Sequence, residues 1–190
     1  MDIPKIEGLS RRKIVTLSRA RNYKQYLSML EAYKAGKCAF CDPLLGKQNV
    51  VLREIDGWRI WENPYPEKHT ALHLVMAPVR HIGTDELPGS EGFTAIGKLF
   101  AWAGDRYPNR MGLDGGGFFM RFGDPMYNAG TILHLHAHIM VPDLKGEVRL
   151  PLAKEPDRDA RGFARLEVFE KLRAGASEAD LTPEERELMT

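Results

Sequence analysis

The chain has 190 residues, of which 43% are hydrophobic and 28% are charged. This length and composition exclude a largely disordered protein and are sufficient for one domain with a sizeable core, extended by helices. Lysine and arginine number 27 and aspartate and glutamate 26, so the formal net charge is only +1. A nearly neutral chain gives no support to nucleic-acid binding through global charge.

The cellular location is predicted from two features that the sequence lacks. No run reaches the roughly 18 consecutive apolar residues of a membrane span, and the first residues lack the apolar segment of a secretory signal. We therefore expect a cytoplasmic protein with no membrane partner. The chain has two cysteines, Cys38 and Cys41. In a reducing compartment such a CxxC pair indicates a metal site or a redox pair rather than a disulfide.

Residues 1–37 are predicted to be helical and basic. Nine lysines and arginines in this segment accompany three acidic residues, which leaves a local charge of +6. Ser10 is a candidate N-cap and Gly36 a candidate helix end. A solvated helix face is the simpler interpretation of this charge, and contact with phosphate groups is the alternative.

From residue 49 the pattern changes to that of strands. Five strands are predicted, at 50–55, 58–61, 71–79, 118–122 and 132–141. Asp56 and Gly57 form a strong hairpin signal between the first two. A helix after the third strand begins near Ser90 and has an apolar face that includes Phe93 and Phe100. These elements predict an α+β fold with a five-stranded antiparallel sheet and packed helices.

The C-terminal residues 143–190 are predicted to form a polar, helical extension that packs on the same domain. An apolar stripe at helical spacing supports this packing and consists of Phe163, Leu166, Phe169 and Leu172. A second helix starts at Thr182, which is followed by proline at the first helical position and glutamate at the third.

Three histidines at alternate positions give the strongest functional signal. Because side chains alternate along a strand, His134, His136 and His138 would share one face and the apolar residues between them the other. Neighbouring histidines would lie about 6.6 Å apart and the outer pair about 13 Å. A straight strand can therefore bring two of them to one metal ion, but not all three. At least one has another task, for which nucleophilic attack or proton transfer suits a neutral imidazole.

This run resembles the active-site strand of the histidine triad (HIT) superfamily, in which three histidines alternate with apolar residues. Two upstream segments also resemble that superfamily, the Glu62-Asn63-Pro64 tripeptide and the run from His73 to His81. Residues 128–131 (Asn-Ala-Gly-Thr) stand where the family has its phosphate loop. The resemblance covers residues 38–142, a HIT-like catalytic domain, and leaves 1–37 and 143–190 as helical extensions.

The resemblance implies a homodimer with chemistry at the α-phosphate of a nucleotide. By this likeness His136 attacks phosphorus and forms a nucleotidyl-histidine intermediate, while His138 binds phosphate oxygens and assists the leaving group. The residues implied in substrate binding are Asn63, Asn128, Gly130 and Thr131. Phosphoryl chemistry depends mostly on positioning and charge stabilisation, which agrees with these roles.

The cysteine pair is also part of the resemblance, because of the order in which cysteines and histidines follow one another along the chain. Cys38 and Cys41, followed by His81 and His134, resemble the zinc-bearing branch of the family, where these four positions hold a structural zinc ion. Such a set would complete a tetrahedral site, and His136 and His138 would be left for the substrate. The alternatives are two reduced thiols beside a surface histidine, or a redox pair. The remaining histidines, at 69 and 73, receive no role.

Departures from the family pattern keep the exact activity open. Gly130 stands where many nucleotide hydrolases of the family have glutamine, and Leu135 and Ala137 replace the proline of the uridylyltransferase motif. A hydrolase, a nucleotidyl transferase and a dinucleoside polyphosphate phosphorylase all stay possible, as does a 5′-adenylated nucleic acid as a minor option for the substrate. Two other classes compete: a zinc-stabilised nucleotide-binding module without turnover, and a metal-dependent hydrolase that uses two strand histidines. The sequence leaves the nucleobase and the leaving group undecided.

Overall fold

The computed structural model of the chain describes residues 15–41, 49–84, 86–111, 115–123, 125–150, 152 and 156–189. The predicted N-cap Ser10 lies outside these ranges. The chain divides into two compact units, which are treated separately below. The terminal unit comprises Met1–Ala39, Pro125–Leu133 and Leu152–Thr190, and the sheet unit comprises Phe40–Asp124 and His134–Pro151. The division into a domain at 38–142 with two extensions stays a prediction.

The described residues form five strands and six helices. The strands are β1 (Val51–Ile55), β2 (Trp58–Glu62), β3 (Thr70–Pro78), β4 (Gly117–Arg121) and β5 (His136–Pro142). The helices are α1 (Tyr23–Ala35), α2 (Gly89–Arg106), α3 (Pro108–Met111), α4 (Pro125–Asn128), α5 (Pro156–Arg173) and α6 (Pro183–Leu188), with 3-10 turns at Leu17–Arg19 and Glu178–Asp180. None of these helices is long and apolar enough to cross a membrane.

The sheet unit is built on one antiparallel sheet with the strand order β1-β2-β3-β5-β4. The predicted five-stranded antiparallel sheet is therefore confirmed. The predicted hairpin between β1 and β2 is also present, since Asp56 and Gly57 have φ values of 47° and 76°. Positive φ at both central residues is the geometry of the tight hairpin turn that follows the twist of the strands.

One face of the sheet carries the core of this unit, covered by α2. The buried side chains there include Ile60, Leu74, Met76, Leu99, Leu135, Ala137 and Ile139. Phe93 and Phe100, which were expected on the apolar face of α2, are instead exposed. They lie at the margin of a stripe centred on Ile96 and Leu99, because successive residues of a helix turn by about 100°. The ring of Phe100 contacts that of Phe118 on the edge strand β4.

In the terminal unit, aromatic rings hold α1 and α5 together. Tyr26 and Phe169 are buried with ring centroids 5.4 Å apart, and the Tyr26 hydroxyl donates a hydrogen bond to Glu170. The predicted helix end at Gly36 is confirmed by its left-handed conformation, with φ of 62°. The predicted start of α6 is confirmed as well, because Thr182 accepts a hydrogen bond from the backbone of the third helical residue in a capping box.

Candidate functional site

The three histidines do not share one strand as predicted. Strand β5 begins at His136, whereas His134 lies in an irregular segment before it. The N–H of Leu135 donates to the carbonyl of Ile82, which is far away in sequence, instead of to a neighbouring strand. The ladder of β5 therefore starts at His136, four residues later than predicted. His136 and His138 lie on the same face of β5. His134 precedes the strand, so its side chain does not have to point in the same direction as theirs.

His134 lies with the cysteine pair and His81, as the predicted metal set requires. The ligand atoms of Cys38, Cys41, His81 and His134 all lie within 4.8 Å of one another. The Sγ of Cys41 is 3.5 Å from Nδ1 of His81 and also 3.5 Å from Nδ1 of His134. Cys38 precedes the sheet unit by two residues and is tied to Cys41 by the short CxxC segment.

This donor set fits a structural zinc ion. Zinc bonds of about 2.3 Å to sulfur and 2.0–2.1 Å to nitrogen place tetrahedral ligand atoms about 3.3–3.8 Å apart, and both measured separations lie in that range. Two thiolates and two imidazoles complete a closed four-coordinate site without a position for water. Burial lowers the pKa of His134 to about 3, with a smaller contribution from the charge of His81. A neutral imidazole is the form that binds a metal.

His136 is buried, and a backbone carbonyl determines which of its ring nitrogens carries the hydrogen. Its Nδ1 lies 2.6 Å from the carbonyl oxygen of His134. Because a carbonyl only accepts, Nδ1 carries the hydrogen and the neutral ring has its lone pair on Nε2. Burial lowers the pKa of His136 to about 4, so that the ring is neutral at cellular pH. The ring is thus prepared to act as a nucleophile through Nε2.

The CxxC segment also contacts the histidines through Phe40, which lies between the two cysteines. The Phe40 ring meets the ring of His136 edge to face, with centroids 5.2 Å apart, and lies 6.1 Å from that of His134. It also contacts Trp61 of β2, at 5.1 Å. The segment that carries two metal ligands therefore packs directly on the candidate nucleophile.

His138 is joined to a fourth histidine, His73 on β3. The backbone N–H of Glu67 donates to Nδ1 of His73 at 3.0 Å, so the hydrogen of a neutral His73 is on Nε2. This Nε2 lies 2.9 Å from Nδ1 of His138, which therefore accepts. The hydrogen of a neutral His138 is then on its own Nε2. His73 was left without a role by the sequence, and the structure makes it the residue that fixes the tautomer of His138.

Two aromatic contacts hold the ring of His138 in place. Phe119 of β4 stacks on it with centroids 4.5 Å apart and planes inclined by 10°. The ring of His136 meets it nearly at right angles at 4.8 Å. The two candidate catalytic rings are therefore neighbours with fixed orientations, and both are buried.

Asn63 lies beside this histidine pair, at the end of β2. Its amide nitrogen is 3.1 Å from Nε2 of His73, and its Oδ1 accepts a hydrogen bond from the backbone N–H of Tyr65. Its own N–H donates to the carbonyl of His73 at 2.8 Å. The structure thus places Asn63 beside the ring of His73, whose Nε2 donates to His138.

The predicted phosphate-loop residues Asn128, Gly130 and Thr131 belong to the terminal unit. The Oδ1 of Asn128 accepts the N–H of Gly130 at 2.6 Å, and Asn128 is buried. Ala129 between them has φ of 53°, a left-handed conformation that alanine rarely adopts. The loop is therefore a tight, strained turn, a feature that is concentrated at functional sites.

Comparisons with known proteins give structural likenesses at low identity. No family model and no curated relative matches the chain. A HIT-like protein involved in cell-cycle regulation from Bartonella henselae is 18% identical, with a TM-score of 0.41 over 67% of this chain and 87% of that one. A hypothetical histidine triad nucleotide-binding protein from Sulfolobus tokodaii is 16% identical, with a TM-score of 0.43 over 76% and 100%. A Zn-bound histidine triad family protein from Mycobacterium smegmatis is 23% identical, with a TM-score of 0.37 over 67% and 88%.

Proposed function

We propose that this protein is an enzyme that hydrolyses or transfers a nucleotide at its α-phosphate, through a covalent bond to His136. The observation that carries the proposal is the 2.6 Å contact between Nδ1 of His136 and the carbonyl of His134. This contact leaves the lone pair of Nε2 for attack on an electrophile. A buried, oriented and neutral imidazole is not needed for folding, and it is what nucleophilic catalysis at cellular pH requires.

The reaction has two steps. In the first, the lone pair of His136 Nε2 forms a bond to phosphorus, and the bond from phosphorus to the leaving group breaks. The leaving group departs with the electron pair and takes a proton from solvent. In the second step, water or another acceptor bonds to phosphorus and gives its proton to solvent, while the P–N bond breaks and its electron pair returns to Nε2.

His138 stabilises the charge that develops on the phosphate. The bond from His73 leaves the hydrogen of His138 on Nε2, which makes that atom a hydrogen-bond donor. This donor belongs to a stacked ring with a fixed tautomer, so it needs no reorganisation during the reaction. Such preorganisation is the main source of electrostatic stabilisation in enzymes. By sequence resemblance, Asn63 binds the nucleoside, and Thr131, together with Asn128 and Gly130, binds the phosphate.

The metal has a structural role in this proposal. Cys38, Cys41, His81 and His134 would hold the zinc ion, which supplies a rigid cross-link and takes no part in the chemistry. A closed set of four protein ligands supports this role, because catalytic zinc sites keep one position open. A metal-dependent hydrolase that uses both strand histidines is correspondingly disfavoured, since the Nδ1 lone pair of His138 accepts a hydrogen bond from His73 and its Nε2 carries the hydrogen.

We further infer that the protein is a cytoplasmic homodimer formed through β4. Among the described residues this strand is an edge of the sheet, and an edge strand can pair with a strand of a second copy. Phe118 on β4 and Phe100 on α2 are both about 43% exposed, and their rings meet edge to face at 5.9 Å. Exposed aromatic rings beside an edge strand favour a self-complementary interface.

Mass spectrometry of the intact protein tests the chemistry. The protein is mixed with nucleoside phosphoramidates and dinucleoside polyphosphates, quenched, and weighed. We expect a mass increase of one nucleotidyl group that is absent from the His136→Ala variant. The matched control is His69→Asn, which alters a histidine of the same unit outside the site and should keep the adduct. Wild-type protein that binds AMP but forms no adduct and turns over no substrate would make it a binding module instead.

A further inference from the structure

The strained loop at 128–131 is held from outside by the segment before α1. The N–H of Thr16 donates to the carbonyl of Thr131 at 2.9 Å, and Nη1 of Arg19 donates to the carbonyl of Gly130, also at 2.9 Å. Val15 forms an isolated antiparallel bridge with Ile132. The last two loop residues and the residue that follows them are thus tied to residues 15–19, all within the terminal unit.

The loop needs such support because its backbone conformation is unfavourable. Ala129 has a left-handed backbone, which costs a non-glycine residue stability unless the surroundings enforce it. A Cβ at Gly130 would lie 2.7 Å from Oδ1 of Asn128, so the turn is already at the limit of close approach. A charged donor such as a guanidinium makes a stronger bond to a carbonyl than a neutral group does.

The supporting segment is in turn seated on α5. A Cβ at Gly162 would lie 2.6 Å from the carbonyl oxygen of Ser18, so the backbone of the 3-10 turn rests directly on the helix. Nη1 of Arg165 reaches the carbonyl of Ala20 at 3.4 Å. Ser18 is buried at this contact. The position of Arg19 is therefore set by a helix of the C-terminal extension.

We propose that the two extensions form a brace for the substrate loop, and that Arg19 is its positioning residue. Arg19 acts through the carbonyl of Gly130 and does not touch the substrate. Gly162 allows α5 to approach closely enough to seat the turn that carries Arg19. The structural part of this proposal stands alone, whereas its consequence for turnover rests on the proposed function of the loop in phosphate binding.

Hydrogen exchange of the full-length protein tests the brace without any substrate. In Arg19→Met, we expect the amides of residues 128–133 to exchange about tenfold faster or more, since a charge-assisted bond is lost. Amides of β3 should be unchanged, which separates local loosening from global unfolding. Arg19→Lys keeps a charged donor and should restore part of the protection. Unchanged exchange at 128–133 in Arg19→Met would overturn the proposal.

A glycine pair tests the role of α5. Gly162→Ala places a methyl group against the backbone of the turn, and we expect the same faster exchange at 128–133. Gly97→Ala on α2 is the matched control, because nothing lies within 4 Å of a Cβ there. Exchange at 128–133 that does not differ between these two variants would show that α5 does not seat the turn.

Kinetics then separate positioning from simple loss of fold. For Arg19→Met we expect KM for the nucleotide substrate to rise about tenfold while kcat changes less, with partial recovery in Arg19→Lys. An unchanged KM beside faster exchange would show that the brace holds a loop that does not bind phosphate. If the wild-type protein forms no nucleotidyl adduct, the proposed function fails, and the exchange experiments still decide whether the brace exists.

Discussion

The bond between His73 and His138 can be tested without any assumption about activity. Replacing His73 with leucine removes the donor to Nδ1 of His138 and the acceptor for the N–H of Glu67. His138 is only 8% exposed, so its Nδ1 is left buried without this partner. Glu67 is half-buried, and water can replace the lost acceptor there.

The burial of these two groups determines the expected loss in the free energy of unfolding. An orphaned buried acceptor costs about 1–3 kcal/mol, and the loss of an ordinary bond at a half-buried N–H about 0.5–1.5 kcal/mol. His73→Leu should therefore lower the free energy of unfolding by about 1.5–4.5 kcal/mol. His138→Leu removes the acceptor for Nε2–H of the buried His73 and should cost about 1–3 kcal/mol. In the double variant neither group is left behind, so the double variant should cost less than the sum of the two.

A double-mutant cycle in urea measures this difference. All three tryptophans of the chain, Trp58, Trp61 and Trp102, lie in the sheet unit, so their fluorescence reports its unfolding. We expect a coupling free energy of about 1–3 kcal/mol between His73→Leu and His138→Leu. The control cycle pairs His69→Asn with His138→Leu and should be additive. Additivity within about 0.5 kcal/mol for the first cycle would refute the bond and with it the fixed tautomer of His138.

Three further predictions concern the metal, the core and the dimer. The purified protein should contain about one zinc ion per chain by elemental analysis, and Cys41→Ser should lose at least about tenfold in zinc affinity; equal zinc content in both would contradict the Cys₂His₂ site. Leu99→Ala in the core should lower the free energy of unfolding by about 2–5 kcal/mol, against less than about 0.5 kcal/mol for the exposed Leu87→Ala. Sedimentation should give a dimer for the wild-type protein and a monomer for Phe100→Lys, with Leu152→Lys unchanged; a wild-type monomer would exclude the β4 interface.

Local patterns in the sequence predicted the elements that local physics determines. The hairpin at Asp56 and Gly57 follows from the backbone freedom of those two residues, and the helix end at Gly36 follows from its tolerance of positive φ. The metal set was predicted from a resemblance, since the order of cysteines and histidines is similar to that of the zinc-bearing branch of the HIT superfamily, and the structure brings these four residues together. None of these features needs knowledge of which strand neighbours which.

The position of His134 could not be predicted from alternation alone. The rule of period two assumes that the strand is unbroken, and the sequence from Ile132 to Val141 contains no proline or glycine that would end it. The start of β5 is decided by a hydrogen bond to Ile82, more than fifty residues away. Sequence periodicity contains no information about such a partner. The same limit explains why Phe93 is exposed, since a periodic apolar stripe on a helix does not indicate how much of the stripe the sheet covers.

The role of His73 depends on strand register, which the apolar core fixes. Val75 lies opposite His138 and His73 opposite Met140, so the two histidines are diagonal neighbours on one face of the sheet. On the other face, Leu74 and Met76 lie opposite Ile139 and Ala137, and all four are buried. A slip of one residue would turn this apolar set away from α2, at a cost of several buried side chains. The packing on one face of β3 and β5 therefore determines which histidines are neighbours on the other face. A core substitution that shifts the register should break the bond between His73 and His138 although both histidines are still present.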